Sequence, residues 1–96
     1  MTRKEILKKA VDVYGKEAQV DMCVEECSEL IKALLKERRL GYEKADPAKK
    51  QLALEHVREE LADVQIMLEQ MRLVFGDTQE AETEKLTRLQ ANLEKI

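Results

Sequence analysis

Between Leu54 and Phe75, seven apolar residues recur at alternating steps of three and four: Leu54, Val57, Leu61, Val64, Leu68, Met71 and Phe75. A strand would scatter such positions over both faces, whereas a helix stacks them on one. The pattern predicts a long amphipathic helix with a heptad-like seam, which has to be buried against other helices. Asp46-Pro47 supplies its start, an N-cap carboxylate followed by proline at the first helical position, and Gly76 its end.

Three further segments carry the same period. A first helix is expected from about Arg3 to Val13, with Ile6, Leu7, Ala10, Val11 and Tyr14 as its apolar side, interrupted by Gly15. A second is expected from about Lys16 to Leu40, where Val20, Cys23, Val24, Cys27, Leu30, Ile31, Leu34 and Leu35 recur at helical steps. Lys36, Arg38 and Arg39 suit its C-terminal end, Gly41 suits the position after it, and Gly41 to Asp46 reads as the main loop. A fourth helix follows Asp77, which with Glu80 reads as a capping arrangement, and carries Leu86, Leu89, Leu93 and Ile96. No strand pattern or internal repeat is present. The expected fold is all-α: an antiparallel bundle of about four helices in one domain, residues 1–96. A chain this short buries only about 60–65% of its unfolded surface, so oligomerisation is expected to complete the bundle.

Charge and composition narrow the function classes. The 17 basic and 20 acidic residues are intermixed, for a net charge of −3. This is not the basic footprint of a nucleic-acid-binding protein. No apolar run approaches membrane-spanning length, and Met1-Thr2-Arg3-Lys4-Glu5 lacks a signal-peptide core, so a cytoplasmic location without membrane association is expected. Cys23 and Cys27, four apart on one helix, read as core cysteines: adjacent turns rarely give disulfide geometry, and His56 is the only histidine available to a thiolate metal site.

The chemistry lies in two acidic clusters, Glu25-Glu26-Cys27-Ser28-Glu29 and Glu59-Glu60-Leu61-Ala62-Asp63. Each contains a carboxylate pair three apart, Glu26 with Glu29 and Glu60 with Asp63, on one face of a helix. Measured from the loop at 1.5 Å per residue, Glu29 and Glu60 lie roughly 18 and 20 Å along their helices, and Glu26 and Asp63 roughly 23 and 24 Å. Antiparallel packing then sets Glu29 opposite Glu60 and Glu26 opposite Asp63. Four such carboxylates repel unless a cation joins them, and all-oxygen ligation suits magnesium, manganese or calcium. The competing reading is a solvated acidic face, because glutamate is a common helix former. A ferritin-like di-iron site needs two Glu-x-x-His motifs, and the chain has none.

Glu25-Glu26-x-x-Glu29 followed by Glu60-x-x-Asp63 resembles the MazG-like nucleoside triphosphate pyrophosphohydrolases. These belong to the all-α NTP pyrophosphatase superfamily, together with dimeric dUTPases and phosphoribosyl-ATP pyrophosphatases. The likeness runs from about Gln19 to Phe75 and is nearest to the short single-domain bacterial and phage members. It implies Mg2+-dependent hydrolysis of a (deoxy)nucleoside triphosphate to the monophosphate and pyrophosphate; the all-oxygen ligand set also admits Mn2+, and the third-helix seam with the fourth-helix leucines leads to the expectation of a homodimer or dimer of dimers. Carried over by position, Glu26, Glu29, Glu60 and Asp63 are the expected metal ligands and Glu25 the residue that orients or deprotonates water. Lys85 and Arg88 resemble the later-helix cations that the family sets on phosphates. Gln19, two turns before Glu26, and His56, one turn before Glu60, are further substrate-contact candidates; each also reads as an ordinary helix residue. Two non-enzymatic readings stand beside this one: a helical oligomerisation or adaptor module, and a metal-binding regulatory bundle.

Overall fold

The computed structural model describes residues 1–42 and 44–96. Glu43, within the expected loop, lies outside the described residues. Four helices account for nearly all of the rest: α1 (Arg3–Tyr14), α2 (Lys16–Tyr42), α3 (Pro47–Phe75) and α4 (Gln79–Leu93).

Local chemistry explains most of the boundaries. Thr2 caps α1 by accepting from the Glu5 N–H at 3.1 Å, and Gly15 ends it at φ 94°, in the positive-φ region that favours glycine. Asp46 caps α3 by accepting from the Ala48 N–H at 2.9 Å, with Pro47 following in the first turn. Gly76 closes α3 at φ 112°, its N–H donating to the Arg72 carbonyl. Two expectations are corrected. Gly41 does not end the second helix, which continues to Tyr42, so the loop is shorter than Gly41 to Asp46. The start of α4 is not an Asp77–Glu80 box: Asp77 accepts from the Gln79 N–H at 3.0 Å, and the N-cap is Thr78, whose hydroxyl donates to Glu82 instead of capping.

The core lies between α2 and α3, which fold back on each other over most of their length, with α1 against both. Its inner stripe on α3 is Ala53, Val57, Glu60, Val64, Met67 and Gln70; on α2 it is Gln19, Cys23, Glu26, Leu30 and Ala33. The expected seam on α3 is therefore rotated. Val57 and Val64 are buried as expected, but Leu61 is 49% and Phe75 68% exposed, while Ala53 and Met67 are buried in their place. Likewise on α2, Val24, Ile31, Leu34 and Leu35 stay exposed. Apolar residues make two adjacent stripes on each helix, and one chain covers only the inner of the two.

Ion pairing and a cation–π contact fasten the open end of the hairpin. Arg3 Nε lies 2.7 Å from Glu69 Oε2, tying α1 to α3, and Lys16 Nζ sits 5.4 Å from the Phe75 ring centre. α4 packs against no other helix among the described residues, and all of its side chains are exposed. The radius of gyration is 17.2 Å, against about 12.5 Å for a compact chain of this length. Among the described residues, no helix is long and apolar enough to cross a membrane.

The glycines separate these effects in a stability measurement. A Cβ at Gly15 or Gly41 meets no neighbour, so only backbone preference is at stake. Gly15→Ala is expected to destabilise by about 1–3 kcal/mol, because its φ is glycine-only. Gly41→Ala, in helical conformation, is expected to stabilise by about 0.5–1 kcal/mol. Urea or thermal unfolding of the two variants reads both signs.

Candidate metal centre

Glu26 and Glu60 occupy interior positions of the α2–α3 seam, where the helical period would otherwise place apolar residues. Cys23 and Leu30 flank Glu26 along the stripe, and Val57 and Val64 flank Glu60. Asp63, one turn beyond Glu60, approaches the same point from the rim. One oxygen from each of Glu26, Glu60 and Asp63 lies within 4.8 Å of the other two. The expected opposition of Glu26 and Asp63 is thus present, with Glu60 joining them.

Such a trio is electrostatically unfavourable. Two unit charges 4 Å apart repel by about 1 kcal/mol with the screening of bulk water, and by about 4 kcal/mol with that of a protein surface. The effect falls on Glu26, whose carboxyl is pushed above its ordinary pKa first by burial, then by Asp63, Glu60, Glu25 and Glu29. A hard divalent cation relieves this repulsion. Three carboxylate oxygens fit magnesium or manganese in ligand type, leaving coordination positions for water and phosphate.

His56 supports one member of the trio. Its Nε2 lies 3.1 Å from Glu60 Oε1, and the Glu60 side chain is only 13% exposed. A ring N–H donated to the carboxylate restrains its rotamer, as residues behind metal ligands commonly do. The His56 contact is therefore to a carboxylate of the cluster.

The other candidates are placed differently. Glu29 is half-buried on α2, but its carboxylate lies 3.7 Å from Lys32 Nζ and is not one of the converging three. Glu25 is exposed; its backbone carbonyl accepts from Ser28 Oγ at 2.7 Å, and its charge is felt at Glu26. Gln19 is 7% exposed, two turns from Glu26 in the inner stripe, so it belongs to the core between the helices. Lys85 and Arg88 lie on α4, which no helix–helix contact among the described residues brings to the carboxylates. Cys23 and Cys27 are free thiols, the first buried and the second half-buried; burial, then the Cys27 neighbour, pushes the Cys23 thiol up and makes it a poor nucleophile.

Two features escape the sequence pattern. Gln70 is 4% exposed, and its Oε1 has no hydrogen-bond partner among the described residues. Toward the loop from His56, a cleft of 530 Å3 opens between α2 and α3, lined by Lys36, Leu40, Lys49, Leu52, Ala53 and His56. Periodicity marks neither, because each depends on which faces of two helices meet. Comparison with known protein families, curated proteins and solved structures finds no match to this chain.

The raised Glu26 carboxyl sets the sign of a pH effect. Between its ordinary and its raised pKa, the folded chain keeps a proton that the unfolded chain has released, so stability falls as pH rises through that window. In metal-free solution Glu26→Gln is expected to raise the unfolding midpoint at neutral pH, with the advantage over wild type vanishing at acidic pH. Magnesium at a hundred times its dissociation constant is expected to stabilise the wild type by about 2.7 kcal/mol, and Glu26→Gln much less. Thermal unfolding across pH, with and without magnesium, measures both.

Proposed function

We propose that this chain is a magnesium-dependent nucleoside triphosphate pyrophosphohydrolase acting in the cytoplasm, as the resemblance of its two acidic motifs to MazG-like enzymes implies. The observation that carries this reading is the convergence of Glu26, Glu60 and Asp63 from two helices on one point. An acidic face serving only solubility does not require carboxylates at interior seam positions.

These three residues would hold the metal, and Glu29, one turn from Glu26 on the same helix, would add a fourth carboxylate if it released Lys32. When bound, magnesium or manganese supplies charge neutralisation at the phosphoryl oxygens and lowers the pKa of a coordinated water. Glu25, exposed beside Glu26, accepts the proton of the attacking water. Attack at the α-phosphorus forms the new P–O bond and breaks the bond to the bridging oxygen, so pyrophosphate leaves with that oxygen. Burial and the His56 contact keep Glu60 in one orientation, so little rearrangement is needed as charge develops. No protein nucleophile is required.

The surface favours a second copy of the chain as partner. The accessible area is 7783 Å2, against about 5,700 Å2 for a compact monomer of this mass. The excess is of the size that obligate dimers bury. It is concentrated in the outer stripes of α2 and α3 and in Leu86, Leu89 and Leu93 of α4, which are 64%, 53% and 58% exposed. In a homodimer or dimer of dimers, α4 packs on a neighbouring chain, the route by which Lys85 and Arg88 reach phosphates.

Two measurements test these statements. Pyrophosphate release from a panel of nucleoside triphosphates with magnesium is expected for the wild type. It should fall by about a hundredfold in Glu60→Ala and Asp63→Ala. Release from no substrate would sink the enzyme reading; metal-dependent stabilisation without release would instead favour a regulatory bundle. Light scattering after gel filtration is expected to give a dimer or tetramer mass, reduced by Leu89→Glu; a wild-type monomer overturns the assembly.

A further inference from the structure

Charge is unevenly spread along the α2–α3 hairpin. Between Lys32 and Lys50, around the turn, the sequence carries seven cations against three carboxylates, and all seven cations are exposed. At mid-length the same helices carry the two acidic motifs. The hairpin is therefore basic at its loop end and acidic beyond. Along α4 the order is complementary: Asp77, Glu80, Glu82 and Glu84 come first with no cation among them, and Lys85 and Arg88 follow. Both surfaces also offer apolar contact. The loop-end cleft sets Leu40, Leu52 and Ala53 between Lys36 and Lys49, and Leu52 is 65% exposed. On α4, Glu82 lies one turn before Leu86, in line with the exposed stripe of Leu86, Leu89 and Leu93. Among the described residues, none of Lys36, Lys49 and Glu82 is in an ion pair.

Helix lengths assign these two surfaces to different copies of the chain. From Lys49 to Gly76, α3 measures roughly 40 Å at 1.5 Å per residue, whereas α4 measures only about 22 Å. Starting from Gly76, α4 cannot bring its acidic end to the loop end of its own hairpin. A second copy related by a two-fold axis, with the hairpins antiparallel, sets its loop end beside Gly76. Folded back along the hairpins, α4 then enters at the basic end of the second copy and runs toward that copy's carboxylates. The heights agree. Glu82 lies roughly 7.5 Å beyond Asp77, and Lys36 and Lys49 lie roughly 7.5 and 3 Å from Gly41 and Pro47. Arg88 lies roughly 16 Å beyond Asp77, and the carboxylates roughly 18 to 24 Å from the loop, a difference that an arginine side chain spans.

We infer that α4 of one copy docks in the loop-end cleft of a second copy, acidic end toward the lysines, and that two copies exchange α4 reciprocally. This docking rests on the proposed assembly and adds to it a receiving face and a direction. Leu86 and Leu89 cover Leu40 and Leu52 of the second copy, and Glu82 sits between its Lys36 and Lys49. Reversed, α4 would set its own cations toward the basic end and its carboxylates toward the acidic motifs, so like-charge repulsion rejects that orientation.

Charge reversal tests the docking, read as the dissociation constant of the assembly by sedimentation velocity over a dilution series of the full chain. Glu82→Lys is expected to weaken association by about tenfold, and Lys36→Glu with Lys49→Glu by at least as much. Combining all three substitutions in one chain should regain most of the wild-type affinity, because the ion pairs are reversed and kept. All three positions are exposed, and circular dichroism confirms that each variant folds. The two readings fail separately. A wild-type monomer overturns the assembly and the docking with it. A dimer or tetramer whose affinity the reversals leave unchanged, or that the combined variant does not restore, overturns the docking and leaves the assembly.

Discussion

The meeting of Glu26 and Glu60 inside the α2–α3 seam is the constraint around which the rest of the structure is arranged. A two-helix seam gains stability by removing apolar surface from water, and carboxylates at two of its positions forgo that gain and add repulsion. Asp63 intensifies the conflict from the rim, and burial together with these neighbours raises the Glu26 carboxyl above its ordinary pKa. The hairpin tolerates the conflict because Cys23, Leu30, Val57 and Val64 pack on either side of it. Neutral apolar side chains at the same positions would make a better core. The proposed metal and its phosphates account for the choice of carboxylates there.

The chemistry varies along the hairpin axis. Gln19 and Gln70 lie in the inner stripe toward the open end, the three carboxylates at mid-length, and the lysines toward the loop. The orphaned Gln70 carbonyl and the paired carboxylates are both costly inside a helical seam. Beyond the seam the structure is thin. The outer stripes and α4 carry the apolar area that a second copy, as proposed, would cover. In that proposed assembly, stability and site completion would be linked, since the association that would cover α4 would also position its cations.

Much of this was legible residue by residue. Asp46-Pro47, Gly15 and Gly76 marked true boundaries because each acts through its own backbone chemistry: a cap, a fixed φ, a positive φ. Gly41 misled for the same reason in reverse; glycine permits a break, but nothing compels one where the helix continues at little cost. The opposition of Glu26 and Asp63 followed from counting residues from a turn, since a helix advances by a fixed rise. The phase of the seam did not follow. Leu61 and Phe75 fit the heptad as well as any residue in α3, yet Glu60 and Met67 face inward. Lys36 and Lys49 looked like ordinary surface charges, because a cleft between two helices has no signature in either helix alone.

The sequence by itself determined four helices, the breaks at Gly15, Asp46-Pro47 and Gly76, and the heights of two carboxylate pairs along a hairpin. Those are properties of a chain's own backbone, set by capping groups, glycine conformations and a constant rise per residue. Only the tertiary structure decided how far each helix is rotated about its axis, and so which of two apolar stripes is inside. It placed three of the expected four carboxylates together and left Glu29 with Lys32. It also buried Gln19, opened the lysine cleft and held α4 away from the rest. Rotation about a helix axis is fixed by the fit of side chains between helices, where a buried alanine or methionine outweighs a leucine that a single chain leaves uncovered.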